Sequence, residues 1–287
     1  MSRIIIATPS FNPSIGGCLV LHKLSHVLNT LGYDSYLTTT VKLNGQLDYF
    51  ILNEDYNTKI AVDIDTQNDI VLYPEIESGN PLGCDNVVRY LLNKYHLPSE
   101  GSNVMATWGE KDYWLYSHEH FYDGLRDRNF LHIIESKLDI YKDYNIPRTI
   151  DSCFTYRKRS GEIQNLNIIH PSNSVEIGYN MSDQDLINIF NSSKRFYSYD
   201  YETYLNQLAA LCGCESIIVP YKNIKKEDLI NKLPALKYGV AYGLDDLEYA
   251  NSTRSFLRDH LQRLDDQQYI DTKIAFEKIF KHFNLWK

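Results

Sequence analysis

The sequence predicts an α/β protein with two domains, each built from a parallel sheet with helices on its faces. Short apolar runs rich in β-branched residues alternate with amphipathic segments along both halves of the chain. Glycine and proline separate many of these segments, as expected at turns. The length of 287 residues suits one large domain or two small ones. Sheets of this kind bind ligands beyond the carboxyl ends of their strands, so we expect a cleft between the two domains.

The first half of the chain begins with a βαβ pattern. Residues 3–8 predict a buried strand, and residues 9–17 predict a loop because they contain two prolines and two glycines. An amphipathic helix follows and ends at Gly32, and residues 33–40 predict the second strand. Further strands are predicted at residues 60–62, 70–74 and 113–116, and a further helix at residues 86–93.

The second half repeats this alternation after a boundary between residues 142 and 149. Strands are predicted at residues 153–157, 166–170, 194–199, 216–219 and 240–241, and helices at residues 183–191, 203–211 and 227–232. Ser182 is a suitable cap for the first of these helices. The pattern after residue 245 is helical. We therefore predict domains at residues 1–145 and 146–255, with residues 256–287 as a carboxyl-terminal helix.

The overall composition narrows the classes of function. The chain is 43% hydrophobic, with a mean hydropathy of -0.39, which is typical of a soluble globular protein. Its net charge of -8 and pI of about 5.6 argue against a nucleic-acid partner, because such proteins more often carry a basic excess. Signal-peptide features and long apolar runs are lacking. The sequence therefore predicts a cytoplasmic protein, with room for peripheral contact with a membrane.

Gly16 and Gly17 lie between the first strand and the first helix. A loop without Cβ atoms lets backbone N–H groups approach a phosphate or sugar, and the helix amino terminus adds partial positive charge. The spacing is neither that of a dinucleotide fingerprint nor that of a P-loop. A flexible connection explains the pair equally well.

Two segments of the second half carry groups that could bind a phosphate or a sugar. Arg157, Lys158 and Arg159 follow the first strand of that half, where cations could neutralise a diphosphate. A solvated turn is the alternative. The second segment lies between a strand and a helix, where acidic groups could hold sugar hydroxyls and backbone N–H groups could meet a phosphate. Its residues are Tyr199, Asp200, Tyr201, Glu202 and Thr203. Helix capping by Asp200 or Thr203 is compatible with that role.

Three carboxylate or histidine pairs have spacings that could bind a metal. Asp63 and Asp65 resemble the Asp-x-Asp of metal-dependent glycosyltransferases, but the residues that follow favour a turn. His118 and His120 would share one face of a strand, and His22 and His26 one face of a helix. Neither histidine pair has an evident third ligand. The sequence therefore predicts no metal site.

Three stretches of the chain resemble one group of GT-B type glycosyltransferases. The first runs from Ser10 to Gly32 and includes both glycines. The second is Val71-Leu-Tyr-Pro-Glu-Ile-Glu-Ser-Gly-Asn-Pro-Leu-Gly, and the third is Phe196-Tyr-Ser-Tyr-Asp-Tyr-Glu-Thr-Tyr-Leu, followed by Ala209-Ala-Leu-Cys-Gly-Cys. The basic run after residue 153 and Ile169-His-Pro fit the same pattern.

The resemblance implies two Rossmann-like domains facing a cleft, with the last helix crossing back to the first domain. The first domain would receive the acceptor, and the second would bind a UDP- or GDP-linked sugar without a metal. Gly16 and Gly17 would face the donor phosphates or sugar. Arg157 and Lys158 would bind the diphosphate, and residues 199–203 would line the donor site. The acceptor would be a glycan, a glycolipid or a glycoprotein.

One position departs from the family pattern. Many retaining members carry two glutamates eight positions apart in the third stretch, where this chain has Asp200 and Leu208. Asp200 keeps the first acid in a shorter form and is a candidate catalytic residue, whereas the second acid is lost. An inverting enzyme would instead need a base on the first domain, for which Glu75 and His22 are the candidates. The loss of the second acid also fits a relative that binds a nucleotide sugar or glycan without catalysis. A metal-dependent glycosyltransferase using Asp63 and Asp65, or an epimerase, are further alternatives.

Overall fold

The computed structural model describes residues 2–13, 15–40, 50–93, 104–156, 166–179, 181–220 and 224–285. The chain divides into two compact units. The first comprises residues 1–135 and 265–287, and the second comprises residues 136–264. Each unit contains a five-stranded sheet whose neighbouring strands all pair in parallel. The predicted α/β class with two parallel sheets is confirmed.

The first unit is built around strands that are almost entirely buried. They are β1 (Ile4–Ala7), β2 (Ser35–Thr38), β3 (Ile70–Pro74), β4 (Asn86–Leu91) and β5 (Tyr113–Tyr116), in the spatial order β2-β1-β3-β4-β5. Strand β1 is followed by helix α1 (Gly16–Thr30), which packs Leu21, Leu24 and Leu28 into the core of this sheet. Burial of both faces explains why the strands show apolar runs rather than alternation.

The second unit repeats this arrangement. Its strands are β6 (Ile150–Thr155), β7 (Val175–Glu176), β8 (Ser193–Ser198), β9 (Glu215–Ile218) and β10 (Val240–Tyr242), in the order β10-β9-β8-β6-β7. Its helices include α2 (Asp183–Ser192), α3 (Leu205–Leu211), α4 (Lys226–Lys232) and α5 (Leu247–Thr253). Ser182 caps α2 as predicted, in a reciprocal capping box with Asp185.

The last helix, α6 (Leu257–His282), begins in the second unit and continues into the first. Its side chains Phe276, Ile279 and Phe280 lie in the core around β1 and α1, where Phe276 and Phe280 contact the ring of Tyr33. The predicted return of the carboxyl-terminal helix to the first domain is therefore confirmed. None of the helices in the described ranges combines the length and the apolar content of a membrane span.

Three sequence-based element predictions were wrong. Residues 86–93 were predicted to be helical, but residues 86–91 form β4 in the interior of the first sheet. A strand buried on both faces has no period of two, so its apolar residues also fit a helical spacing. Residues 166–170 form no strand, and of residues 60–62 only Ile60 makes an isolated bridge, to Leu37.

Candidate functional site

Glu75 lies at the carboxyl edge of the first sheet, directly after β3. Its Oε2 accepts a hydrogen bond from the backbone N–H of Leu92, which follows β4, at 2.9 Å. Burial raises the pKa of the Glu75 carboxyl, and the backbone donors around it oppose that rise. A half-buried carboxyl with a raised pKa, placed where parallel sheets bind ligands, has the properties of a proton acceptor.

Gly16 and Gly17 are the first two residues of α1 rather than part of a loop. A Cβ atom added to Gly16 would meet no protein atom within 4 Å, and one added to Gly17 would lie 3.5 Å from Cδ1 of Leu92. Among the residues that the structure describes, no side chain caps this helix, and its first turn contains no acidic residue. Leu92 therefore joins the amino terminus of α1 to the carboxyl group of Glu75 in one corner of the first unit.

His22 occupies a core position. Its side chain is fully buried, and its Nε2 lies 3.0 Å from the carbonyl oxygen of Pro9. The ring stacks on Phe50 and meets Phe11 edge to face. Burial lowers the pKa of His22, which leaves the imidazole neutral. This environment suits a structural histidine, and we do not retain His22 as a base or, with His26, as a metal ligand.

Tyr199 and Asp200 follow β8 at the carboxyl edge of the second sheet, and both are buried. The Tyr199 hydroxyl accepts from the N–H of Ile169 at 3.0 Å and lies 2.8 Å from Nδ1 of His170. The His170 ring stacks on Phe154 with a centroid distance of 3.8 Å. These contacts join the ends of β6 and β8 and fix the backbone from which residues 200–203 extend.

Residues 201–203 connect β8 to α3, with Glu202 exposed and Tyr201 and Thr203 half-buried. Leu208 lies inside the apolar cluster of α3 with only 5% of its surface exposed. The α3 side chains Asn206 and Gln207 are buried, and their amide oxygens have no hydrogen-bond partner among the described residues. The sequence analysis did not single out these two amides. The available signal was that they are polar residues close to the acidic segment at residues 199–203. Arg157 and Lys158 lie outside the described residues.

The metal-like pairs adopt other roles. Asp63 forms an ion pair with Arg3 at 2.9 Å, and Asp65 accepts the N–H groups of the turn at Gln67 and Asn68. The rings of His118 and His132 approach to 4.3 Å, and burial lowers the pKa of His118 to about 3. In the part of the chain that the structure describes, no group of three or more histidine, cysteine or carboxylate side chains could hold a metal ion.

Comparison with known proteins gives similarity at the level of structure only. No family model matches the chain, and no curated protein matches its sequence. An alpha-glucosyltransferase in complex with UDP and a 13-mer DNA containing a central A:G mismatch is similar with a TM-score of 0.50 and 12% identity, over 98% of this chain and 96% of that one.

Two structures of a T4 phage protein give lower scores. T4 phage BGT in complex with its UDP-glucose substrate has a TM-score of 0.49 and 12% identity, over 97% of this chain and 99% of that chain. T4 phage BGT in complex with UDP and Mn2+ has a TM-score of 0.46 and 10% identity, over 99% and 100%.

The two parallel sheets and the returning helix, together with the similarity at a TM-score of 0.50, show that this chain has the GT-B fold. The sequence-based exclusion of a nucleic-acid partner was wrong, because a solved protein of this fold holds a 13-mer DNA. The exclusion rested on the net charge of -8. A net charge sums over the whole surface and does not describe any one face.

Proposed function

We propose that this protein is a glycosyltransferase that transfers a sugar from a nucleotide diphosphate donor to a hydroxyl group. The observation that carries the proposal is the GT-B fold, matched over nearly the whole chain by an alpha-glucosyltransferase in complex with UDP. Polar groups at the carboxyl edge of each sheet support it, namely the Glu75 carboxyl, the backbone at Gly16 and Gly17, and the Tyr199 hydroxyl. Fold alone does not define a reaction, so these groups carry the mechanistic part of the proposal.

Each unit, taken by itself, has candidate groups for binding the donor. In the second unit, residues 199–203 and the buried amides of Asn206 and Gln207 supply polar groups for the sugar or nucleotide. In the first unit, the N–H groups at Gly16 and Gly17, which no side chain in the described ranges caps, favour a negatively charged or hydroxyl-bearing group. Arg157 and Lys158 remain our candidates for neutralising the diphosphate, because an arginine can bind phosphate with two hydrogen bonds.

Calorimetric titration with UDP, UDP-glucose and the corresponding GDP compounds tests the donor site. We expect one nucleotide family to bind, and we expect Arg157→Ala to weaken its binding at least about tenfold, the effect of a lost charge-assisted hydrogen bond. The control Lys232→Ala removes one positive charge from the exposed end of α4 and should bind as the wild type does. A folded protein that binds none of these nucleotides would refute the proposal.

We assign the role of general base to Glu75. The acceptor oxygen attacks the anomeric carbon, the bond from that carbon to the diphosphate oxygen breaks, and the nucleotide diphosphate leaves with the electron pair. Glu75 takes the proton of the attacking hydroxyl. The burial of Leu208 in the apolar cluster of α3 supports this assignment, because no second acid stands at that position. The reaction so described is a single displacement that inverts the anomeric configuration.

We propose DNA as the acceptor, in place of the glycan, lipid or protein acceptor expected from the sequence. The support is the 13-mer DNA in the structure of the alpha-glucosyltransferase. Base pairs of ordinary DNA carry no alcohol, so the chemistry requires a hydroxyl-bearing base such as a hydroxymethylated pyrimidine. Mass spectrometry of nucleosides from DNA incubated with the protein and UDP-glucose tests this proposal. Transfer to a glycan or lipid but not to DNA would refute it.

We further propose that Asp63 and Asp65 hold no catalytic metal, since Asp63 pairs with Arg3 and Asp65 accepts the N–H groups of a turn. Turnover should then survive Asp65→Asn. Loss of turnover in EDTA that Mn2+ restores, together with inactivity of this variant, would instead support the metal-dependent alternative. Because position 208 is a buried leucine rather than an acid, a second candidate function is the binding of a nucleotide sugar without turnover.

A further inference from the structure

A cavity of about 670 Å³ opens at the amino edge of the second sheet. The strands β6, β8 and β9 are parallel, so their first residues meet at this edge, opposite residues 199–203. Strand β8 alone places about 15 Å between the two edges. The charged residues of the lining are Arg148, Asp151, Lys194, Arg195, Glu215 and Arg254.

The lining carries four cationic side chains and two carboxylates. Lys194 pairs with Asp151 at 2.7 Å, and Arg195 pairs with Glu215 at 2.9 Å. This excess of positive charge is local, since the chain as a whole has a net charge of -8. The side chains of Lys194 and Arg195 are 59% and 46% exposed, so both can turn from their partners toward a ligand.

Two arginines are held in place by backbone carbonyls. Arg148 donates to the carbonyl oxygens of three residues at the end of α2 and the start of β8, and to that of Cys212 at 2.8 Å. Its Nη2 also pairs with the carboxylate of Asp143 at 3.1 Å. Arg254 donates to the carbonyl oxygen of Gly213 at 3.0 Å. The Nε of Arg254 is buried and has no hydrogen-bond partner among the described residues. A fixed guanidinium loses little conformational entropy when it binds an anion.

The two guanidinium groups also repel each other. Burial lowers the pKa of Arg254, and the positive charge of Arg148 adds to that lowering. An anion in the cavity would relieve both effects, because an opposite charge favours the charged form of a buried base.

We propose that this cavity is a second anion site, which binds a small phosphorylated molecule. Its volume lies in the range of small-molecule sites. Two exposed cations stand beside two positioned arginines, and the carboxylates of Asp151, Glu215 and Asp143 leave one positive charge of the four without a counter-charge. The site lies at the edge of the second sheet opposite residues 199–203, so a ligand here would not overlap the donor groups proposed in this unit.

Calorimetric titration with inorganic pyrophosphate, on protein saturated with UDP, tests the site. We expect pyrophosphate to bind the wild type and to bind the double variant Lys194→Gln/Arg195→Gln at least about tenfold more weakly. The matched control Lys232→Gln/Lys237→Gln removes the same charge from exposed positions outside the cavity lining and should change the affinity by less than about twofold.

Asp151→Asn gives a test with the opposite sign. It frees Lys194 from its carboxylate partner and should tighten pyrophosphate binding several-fold, a gain that misfolding would not produce.

Two results would overturn the proposal: no pyrophosphate binding, or equal weakening of pyrophosphate binding in both double variants. If pyrophosphate does not bind but a DNA oligonucleotide binds through Lys194 and Arg195, the cavity is a nucleic-acid contact instead. The comparison of variants does not depend on UDP. If neither UDP nor GDP binds, the donor proposal fails while this one is still decided.

Discussion

Gly16 is a residue whose lack of a side chain is not explained by packing. A Cβ atom there would meet no protein atom within 4 Å. Alanine at this first position of α1 should leave the free energy of unfolding unchanged or raise it by up to about 1 kcal/mol. If a donor approaches the backbone here, Gly16→Ala should raise the KM for the nucleotide sugar while thermal stability holds. An unchanged KM would remove Gly16 from the donor site.

The proposed role of Glu75 as general base gives the most specific prediction for a single residue. We expect Glu75→Gln to lower kcat about 100-fold or more, the range for loss of a general base, with little change in nucleotide affinity. In the wild type, kcat/KM should fall as the pH decreases through the pKa of Glu75, which lies above its ordinary value of 4.5. Undiminished turnover in the variant would favour a retaining reaction without a base.

The same variant has a predictable effect on stability. A carboxyl whose folded-state pKa is raised contributes stability below its unfolded pKa and loses that contribution as the pH rises through the folded value. At neutral pH the buried carboxylate is therefore charged at a cost that glutamine avoids. We expect Glu75→Gln to melt no lower than the wild type at neutral pH, and to lose any advantage in mild acid. Thermal denaturation at the two pH values measures this.

At the residue scale, the sequence predicted where a residue lies along its strand or helix but not which groups surround its side chain. The strand-end rule identified Glu75 because residues after a parallel strand lie at the binding edge. The rule could not show that His22 is buried against Phe50 and bonded to the carbonyl of Pro9, since those partners are set by tertiary packing. Asn206 and Gln207 were missed for the same reason: their burial follows from how α3 packs.

At the scale of elements, the buried Arg89 of β4 joins the connection between β3 and β4 to the residues that precede β5. Arg89 has no exposed side-chain surface, and its Nε donates to Asp112 at 2.7 Å. Its Nη1 donates to the carbonyl oxygen of Glu77. Asp112→Ala leaves this guanidinium buried without its counter-charge and should cost about 3–5 kcal/mol in urea denaturation. Asp63→Ala, which breaks the pair with Arg3 at an 84% exposed carboxylate, should be indistinguishable from the wild type.

Helix α6 is the second element with a measurable role. Phe276 is fully buried against Tyr33 in the core of the first unit. Phe276→Ala should destabilise the protein by about 3–5 kcal/mol, while Lys278→Ala on the exposed face should have an effect within about 0.5 kcal/mol. Equal effects of the two substitutions in chemical denaturation would contradict the packing described for this helix.

Prediction of elements failed where hydrophobic periodicity is ambiguous. The segment that forms β4 was assigned to a helix because burial on both faces removes the alternation that marks a strand. Helix α2 was predicted almost to the residue, since its cap at Ser182 is a local signal. The sequence therefore predicts well what neighbouring residues determine and poorly what the position within the sheet determines.

At the scale of the whole molecule, the alternating pattern and the resemblance led to the right fold class, including the return of the last helix. The net charge led to the wrong exclusion of a nucleic-acid partner, because a sum over the chain does not describe how charge is arranged on the surface. The cationic lining of the cavity between Arg148 and Arg254 illustrates this point within an acidic protein. The sugar donor and the acceptor are decided by a few side chains that no global property reports.

The central claim is that this protein transfers a sugar from a nucleotide donor to DNA. The most direct measurement is mass spectrometry of a duplex with one hydroxymethylated pyrimidine, incubated with UDP-glucose and the protein, beside the same duplex without the hydroxyl. We predict a mass gain of one hexose on the hydroxymethylated strand alone, matched by released UDP and reduced about 100-fold or more in rate by Glu75→Gln. An unchanged mass in both duplexes, with a folded protein that binds UDP-glucose, would contradict the claim.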